Sequence, residues 1–253
     1  IAEQTGIITI TDFRRRDIAA GGQGAPLVPA FHKALFQSPE NDRIIINIGG
    51  IANLTLLPAA ANTPITGWDT GPGNTLMNAW ILQHKQETQD TDGRWCAQGS
   101  SNQVLLDKLL TDPYFQQPPP KSTGPEHFNL SWLEHYLTET QDTAVNVQAT
   151  LCELTTSAIA RTIQSQQLQT GHPEIFICGG GSHNPQIMRQ LRSKLNNNRV
   201  ETTQVLGIDP DWVEAAAFAW LAQQTLNGKT GSLPEVTGAD KAVILGAIYP
   251  ISA

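Results

Sequence analysis

The chain has 253 residues, 40% of them hydrophobic and 15% charged, so it can bury a substantial core in one large or two small domains. Its formal net charge is -7, and its lysines and arginines are scattered except at positions 14–16, which argues against nucleic acid as the main partner. No apolar run approaches the ~20 residues of a membrane span, and three cysteines without metal-ligand spacing disfavour a zinc site and a disulfide framework. We therefore expect a cytoplasmic protein with no membrane partner.

The amino-terminal segment is interpreted as the end of a domain. The chain starts at Ile1 without a methionine and soon enters the strand-like run Gly6–Ile10, so we expect preceding sequence to be missing. The cluster Arg14–Arg16 then runs into the small-residue loop Gly21–Pro26. A solvated charge cluster is the ordinary interpretation of the arginines. A loop this apolar nevertheless favours packing at an interdomain cleft, where one arginine could grip a substrate carboxylate.

Three apolar runs between residues 43 and 69 predict a three-strand meander. They span Arg43–Ile48, Ile51–Leu57 and Ile65–Asp69. A helix is predicted to begin at Asn74, because Pro72 and Gly73 are start signals and apolar residues then recur on one face. The residues of that face are Leu76, Met77, Trp80 and Ile81.

Residues about 86–145 interrupt this pattern and are interpreted as an insertion. They contain a proline run and two short predicted helices, near Val104–Leu110 and Trp132–Leu137. The segment Lys121–Asn129 mixes Lys, Glu and His in a tight loop. A surface turn is the default interpretation of that loop, and a lid or substrate-contacting loop is the alternative.

The second half of the chain alternates helices and strands. A helix is predicted from about Val147 to a stop at Gly171, followed by a buried strand, Glu174–Cys178. A second helix is predicted to begin at Asn184 as its cap with Pro185 at its first position, and a strand, Val200–Val205, follows it. A last, long helix is predicted to start at Asp209-Pro210 and to end near Asn227-Gly228. The order β-β-β-α, insertion, α-β-α-β-α predicts an α/β ribonuclease H-like domain with a mixed sheet and helices on both faces. A Rossmann sheet is disfavoured, because its first strand would lead directly into a helix.

Two glycine turns next to the meander could face one ligand. Gly49 and Gly50 lie between two predicted strands, where glycine lets backbone N–H groups approach phosphate oxygens without a Cβ in the way. A plain hairpin is the alternative, but Asn53 and Thr55 alternate on the next strand and add polar groups that a structural hairpin would not need. The candidate phosphate contacts of the two turns are Asn47, Gly49, Gly50, Gly71 and Gly73.

Asp69 is the candidate general base. It ends an apolar run beside a glycine turn, so its carboxylate can be held rigidly within reach of a bound hydroxyl or water. The alternative is a cap for the following helix. Because Thr70 and Asn74 are closer to the start of that helix, we favour the base.

A third glycine segment, Gly179–Gly181, follows a buried strand and leads into a helix. Its amides could lie against a nucleotide at the carboxyl end of the strand, although it lacks the G-x-G-x-x-G spacing and simple turn chemistry remains open. His183 is interpreted as a surface or capping residue. Glu214 is well placed for the dipole of the last helix, and the alternative is that it projects into the cleft.

Six separated motifs agree in order and spacing with one family. They are Asp12–Pro26, Asn47–Thr55, Gly67–Asn74, Lys121–Phe128, Cys178–Asn184 and Asp209–Trp220. Over nearly its whole length, the chain resembles the anhydro-N-acetylmuramic acid kinase family of the sugar kinase, heat-shock and actin superfamily. Members of that superfamily clamp ATP between two ribonuclease H-like domains.

The resemblance implies the following organisation and roles. Residues 1–40 would be the end of the first domain and a connector, 41–226 the second domain with the insertion, and 227–253 a segment returning toward the first domain. Asn47–Thr55 would be the second phosphate loop, Gly179–Gly181 the adenosine segment, and Asp209–Trp220 a hinge. Asp69 would be the base. Arg16 and Glu214 would orient the sugar, and ATP, Mg²⁺ and a homodimeric state are implied.

The implied reaction phosphorylates 1,6-anhydro-N-acetylmuramic acid at O6 while water opens the anhydro ring at C1, as part of peptidoglycan recycling. The family's Gly-Thr-Ser-x-Asp-Gly phosphate loop has no match in this sequence, so we expect the chain alone to be inactive. Two alternatives stay open: another sugar or acetate kinase of the superfamily, and a non-catalytic actin-like nucleotide-binding module.

Overall fold

The computed structural model describes residues 1–60, 62–137, 141–166 and 172–251. Within these ranges the strands are β1 (Thr9–Thr11), β2 (Arg43–Ile48), β3 (Ile51–Leu57), β4 (Thr66–Pro72), β5 (Glu174–Cys178), β6 (Val200–Thr202) and β7 (Ala247–Tyr249). The helices are α1 (Ala2–Thr5), α2 (Phe13–Ala19), α3 (Val28–Phe36), α4 (Thr75–Lys85), α5 (Gln103–Leu109), α6 (Pro113–Gln116), α7 (Leu130–Leu137), α8 (Ala144–Gln164), α9 (Pro185–Lys194), α10 (Val213–Leu226) and α11 (Pro234–Thr237).

The main sheet has five strands in the order β4-β3-β2-β5-β6. Strands β2, β3 and β4 form an antiparallel meander, whereas β5 runs parallel to β2 and β6 runs parallel to β5. This topology confirms the predicted ribonuclease H-like layer. The third strand of the meander begins at Thr66 and continues to Pro72, three residues beyond the predicted end.

Helices cover both faces of the main sheet, which explains why its central strand is apolar without alternation. On one face, Ile44, Ile46 and Ile48 of β2 belong to a core that also contains residues of α4, α5, α8 and α9. On the other face, Ile45 belongs to a smaller core with residues of α3 and α10. The four predicted apolar residues of α4 are all buried.

Three predicted boundaries in the second half are wrong. Helix α8 ends at Gln164, whereas the predicted stop, Gly171, lies outside the described residues. The strand that was predicted to reach Val205 ends at Thr202, and a 3₁₀ turn follows it. Val205 lies in this turn with its side chain half exposed. Helix α10 begins at Val213 rather than at Asp209, because Asp209 forms a turn of its own by accepting bonds from the amides of Asp211 and Trp212.

The first and last parts of the chain meet in a second, two-stranded sheet. Strand β1 pairs antiparallel with β7, and the run predicted as a strand from Gly6 is regular only from Thr9 onward, since Ile7 and Ile8 are exposed. The buried carboxylate of Asp17 links the same two parts, because it accepts hydrogen bonds from the Gly24 amide and the Thr237 hydroxyl, each 2.8 Å long. The expected division of the chain at residues 40 and 226 stays a prediction.

Candidate active site

A cavity of about 420 Å³ lies at the carboxyl ends of the parallel strands β2 and β5. Ligands bind at this edge in many open α/β sheets. The amino-terminal segment closes one side of the cavity with the loop at Gly24–Leu27, and the first turn of α10 closes another with Glu214. The cavity therefore joins parts of the chain that are far apart in sequence.

Polar residues form a continuous row across three strands beside this cavity. Asn47 of β2 lies opposite Asn53 of β3, and Asn53 lies opposite Asp69 of β4. Directly opposed residues of antiparallel strands project to the same face of a sheet. Asn47 and Asn53 line the cavity, whereas Asp69 is not among its lining residues in the described chain. The strand register places the Asp69 side chain on the same face of the sheet as these two asparagines.

Asp69 does not cap the following helix, so that alternative is wrong. Helix α4 begins at Thr75, and the Asp69 carboxylate instead accepts a 3.0 Å hydrogen bond from the amide of Thr123 in the insertion. The Tyr114 hydroxyl donates to the Asp69 carbonyl oxygen at 2.8 Å, and the Asp69 amide donates to the Lys121 carbonyl oxygen at 3.2 Å. Thus the insertion holds both the backbone and the side chain of Asp69.

Burial raises the pKa of Asp69 above its ordinary value of 3.8, and hydrogen bonds from the Thr123 amide and the Ser122 side chain oppose the rise. A carboxylate with a raised pKa is a better proton acceptor than an ordinary one. Its raised pKa makes Asp69 a stronger base than an ordinary carboxylate.

At two positions that line the cavity, the packing of the described chain does not require a glycine. A Cβ added to Gly49 would come no closer than 3.6 Å to the nearest atom, the Ile51 carbonyl oxygen, and one added to Gly180 no closer than 3.8 Å to Asn74 Nδ2. Neither residue has the positive φ that favours glycine. These glycines leave the backbone open toward the cavity, as close approach of a phosphate group requires.

The other predicted glycines have structural reasons of their own. Gly71 has a φ of 142°, and Gly179 has a φ of 77° with a Cβ position that Asn47 Oδ1 occupies. A Cβ on Gly181 would collide with Ile48. Among the predicted cofactor contacts, Asn47, Gly49, Gly179 and Gly180 line the cavity.

Gly50 and Gly73 bind each other rather than facing the cavity. The Gly73 amide donates to the Gly50 carbonyl oxygen, and the Asn74 amide donates to the Gly49 carbonyl oxygen, both at 2.8 Å. A Cβ on Gly73 would collide with the Gly49 carbonyl oxygen. The start of α4 is thus docked on the Gly49-Gly50 turn, and the Gly73 amide is already used within the chain.

The structure brings Arg14, and not Arg16, to the cavity. Both residues belong to α2 and are exposed, but only Arg14 is among the lining residues of the described chain. Glu214 lines the cavity as the sequence suggested, and its carboxylate, together with burial, raises the pKa of the Cys178 thiol. Burial is the larger of these two causes.

A second cavity, of about 340 Å³, adjoins the first. Gly180 and Asp211 line both cavities, and Asn74 and His183 line the second. His183 Nε2 lies 2.8 Å from Asp211 Oδ1, so His183 ties the Gly179–Gly181 segment to the start of α10. An extended ligand could occupy both cavities by passing along Gly180.

Two functional candidates escaped the sequence analysis. His32 of α3 is buried and lines the first cavity, and its only sequence signal is an isolated imidazole within the apolar stretch Val28–Phe36. Tyr114 supports Asp69 from the insertion, where nothing in the sequence connects the two residues.

In the described ranges, no helix combines the length and the apolar character that crossing a bilayer requires. The same ranges contain no group of three or more histidine, cysteine, aspartate or glutamate side chains placed to hold a metal ion.

The strand order and the cleft at the strand ends define a ribonuclease H-like domain of the kind found in actin-like ATPases and sugar kinases. The family model for anhydro-N-acetylmuramic acid kinase matches residues 1–251, and the chain belongs to this family.

Relatives carrying the same name are about half identical to this chain. The anhydro-N-acetylmuramic acid kinase of Coxiella burnetii (strain Dugway 5J108-111) is 51% identical over 98% of this chain and 66% of the relative. That of Xylella fastidiosa (strain Temecula1 / ATCC 700964) is 52% identical over 99% of this chain and 65% of the relative. The chain thus spans about two thirds of the length of these relatives. Among solved structures, the ethanolamine utilization protein EutJ from Carboxydothermus hydrogenoformans aligns with 14% identity and a TM-score of 0.37, over 74% of this chain and 49% of that chain.

Proposed function

We propose that this chain carries the base and part of the phosphate site of an ATP-dependent kinase acting on 1,6-anhydro-N-acetylmuramic acid. The observation that carries the proposal is the row of Asn47, Asn53 and Asp69 on one face of the sheet, next to a cavity lined by the first two of these residues. Gly49 also lines this cavity, and no packing contact requires a glycine there. Family membership and the names of the relatives support the substrate. Neither alternative raised by the sequence is favoured.

In the proposed reaction, Asp69 takes one proton from a water molecule whose oxygen attacks C1 of the sugar. The C1–O6 bond of the anhydro bridge breaks, and the released O6 bonds to the γ-phosphorus of ATP. The bond between that phosphorus and the bridging oxygen then breaks, giving N-acetylmuramic acid 6-phosphate and ADP. A correctly placed general base contributes roughly 10²–10⁴-fold in rate.

The two adjoining cavities support an arrangement of the substrates. We place the sugar in the first cavity, with its reacting end toward Asp69, and the adenosine part of ATP in the second, along Gly180 and Asn74. The Gly49 backbone would then lie near the phosphates. Arg14 and Glu214 are the charged residues of the first cavity that could orient the sugar, and Arg16 retains that role only if its helix turns.

Mg²⁺ fits this site as an ion carried by ATP rather than one held by a protein cage. It usually keeps several waters and is bound through substrate phosphates plus one or two carboxylates. Asp211 and Glu214 are the carboxylates that line the first cavity and are available for such outer contacts. The ion would supply neutralisation of the phosphoryl charge. A cytoplasmic location, a homodimeric state and a role in peptidoglycan recycling complete the proposal.

The decisive experiment follows the oxygen of the attacking water. The full-length protein is incubated with the anhydro sugar and MgATP in oxygen-18 water, and the product is analysed by mass spectrometry. We expect one label at the anomeric hydroxyl and none in the phosphate. A phosphorylated product without label would refute coupled hydrolysis, and the same assay with ordinary hexoses or acetate tests the alternative kinases.

A further inference from the structure

His32 has one ring nitrogen in use and one that is buried without a partner. Its side chain belongs to α3, is 1% exposed and lines the first cavity. Nδ1 lies 2.9 Å from the Thr55 hydroxyl of β3, whereas Nε2 has no hydrogen-bond partner within the described part of the chain. Buried polar atoms are nearly always paired, so an unpaired one beside a cavity calls for an explanation.

The imidazole of His32 is uncharged at physiological pH. Burial lowers its pKa to about 3, because the charged ring would lose its hydration in this apolar setting between Phe31 and Phe36. A neutral imidazole with one nitrogen engaged by a hydroxyl offers a single donor or acceptor at the other nitrogen. That nitrogen suits an uncharged oxygen, such as a hydroxyl or an amide carbonyl, better than a carboxylate or a phosphate.

The position of His32 separates it from the reacting groups. Its partner Thr55 lies two residues beyond Asn53 on the same face of β3, about 7 Å farther from the Asn53–Asp69 pair at ~3.3 Å per residue. Gly49 lies at the other end of that strand. A sugar with its anhydro bridge at Asp69 would therefore present a more distant substituent to His32.

We infer that His32 is a specificity-determining residue, whose Nε2 binds an uncharged oxygen of the sugar, either a hydroxyl or the acetamido carbonyl, away from the anhydro bridge. This inference rests on the proposed function. His32 recognises the substrate and takes no part in proton transfer, and Thr55 is the positioning residue that fixes the orientation of the ring.

The first test observes the nitrogen directly. The full-length protein with nitrogen-15 histidine is titrated with 1,6-anhydro-N-acetylmuramic acid and followed by long-range proton–nitrogen NMR. We expect the Nε2 resonance of His32 to move on saturation, while that of the exposed His172 stays in place. An unchanged Nε2 resonance in a protein saturated with sugar would overturn the inference. This measurement needs no variant and does not depend on turnover.

The second test uses variants and two sugars. His32→Phe is expected to weaken binding of the sugar about tenfold by calorimetry and to leave kcat within about twofold, whereas His32→Gln, which keeps a polar group, restores part of the affinity. Lys33→Gln, at an exposed position of the same helix, is the matched control and should leave the affinity unchanged. Equal affinity of wild type and His32→Phe would overturn the inference.

Repeating the binding measurement with the 2-deoxy analogue of the anhydro sugar, which lacks only the acetamido group, identifies the bound oxygen. A penalty for His32→Phe that disappears with this sugar assigns the acetamido carbonyl, and a penalty that persists assigns a hydroxyl. If the full-length protein converts the anhydro sugar normally, but the Nε2 resonance of His32 does not move and His32→Phe binds the sugar as well as wild type, this inference alone is refuted. A protein that neither binds nor converts the sugar sinks the proposed function as well.

Discussion

Asn53 lies directly opposite Asp69 on the neighbouring antiparallel strand, so an amide and a carboxylate project from adjacent backbones to the same face of the sheet. The pair is held from outside the sheet as well, because the Thr123 amide, 54 positions away in sequence, donates to the Asp69 carboxylate. A carboxylate held by hydrogen bonds from the Thr123 amide and the Ser122 side chain loses little freedom on binding substrate. This rigidity is what a base needs in order to meet a water molecule in one orientation.

Replacing Asp69 with asparagine should remove the base and leave the fold intact. The side-chain oxygen of the new amide can still accept the bond from the Thr123 amide, so we expect an unchanged melting temperature and a fall in kcat of roughly 10²–10⁴-fold. Steady-state kinetics of the full-length protein provide the measurement. Asp107→Asn, on the exposed side of α5, is the matched control. Wild-type turnover by Asp69→Asn would show that the base lies elsewhere.

The pH dependence of turnover should reflect the raised pKa of Asp69. The base acts in its deprotonated form, so kcat/KM should fall as pH falls through that pKa, and the acid limb should lie above the ordinary carboxyl value of about 4. Ser122→Ala removes a hydrogen bond that lowers the pKa and should move the acid limb to still higher pH. If Ser122→Ala leaves the acid limb unchanged, that limb does not reflect the titration of Asp69.

Gly49 and Gly73 should respond to alanine in opposite ways. A methyl group at Gly49 meets no described atom within 3.6 Å, so Gly49→Ala should fold with a loss below about 1 kcal/mol while ATP binding weakens about tenfold or more. At Gly73 the same methyl group would collide with the Gly49 carbonyl oxygen, and the protein should lose ~3 kcal/mol or fail to fold. Denaturant melts and nucleotide titrations measure both effects. Normal nucleotide affinity in Gly49→Ala would contradict a phosphate contact there.

Arg14 and Arg16 should differ in their effect on the sugar. Arg14 lines the cavity and Arg16 does not, so Arg14→Ala should raise the KM for the anhydro sugar about tenfold to a hundredfold, as the loss of a charge-assisted hydrogen bond would do. Arg16→Ala on the same helix is the control and should change KM little. The reverse ranking would mean that α2 turns when the substrate binds.

Trp132→Phe should destabilise the insertion in a pH-dependent way. Trp132 Nε1 donates a 2.8 Å bond to Asp112. Burial raises the pKa of Asp112, but bonds from Trp132, the Tyr114 amide and His127 outweigh it and leave the pKa below its ordinary value. Losing the Trp132 bond should cost about 2 kcal/mol at pH 7.

This stabilisation is present above the unfolded-state pKa of Asp112, about 4, and is lost as pH falls through the lower folded-state value. The difference in unfolding free energy between wild type and Trp132→Phe should therefore shrink below about pH 4. Denaturant melts at pH 7 and pH 3 give the comparison, and an equal difference at both values would exclude Asp112 as the source.

The strand meander was predictable because its signal is local. Continuous apolar runs interrupted by Gly49-Gly50 leave few alternatives to neighbouring antiparallel strands. The starts of elements were less predictable. Asp209 and Pro210 resemble a helix start, yet Asp209 forms a separate turn, and only the packing of Val213 shows where α10 begins.

Positions next to a strand end were predictable, and positions that depend on a distant contact were not. Gly49 directly follows β2 as expected, whereas Asp69, which was expected to end a strand, lies in the middle of β4. The docking of Gly73 on Gly50 and the burial of His32 against Thr55 arise between segments that the sequence does not connect, so no local pattern reveals them. The same holds for the choice between Arg14 and Arg16, which depends on the rotation of one helix.

The two hydrogen bonds of Asp17 make the cleft sensitive to changes at the far end of the chain. One bond fixes Gly24, which lines the first cavity, and the other reaches Thr237 in α11. A carboxyl-terminal fusion or truncation that displaces α11 would remove the hydrogen bond that the Thr237 hydroxyl donates to the buried carboxylate of Asp17. Sugar affinity would then deteriorate before nucleotide affinity, so an affinity tag is better attached elsewhere.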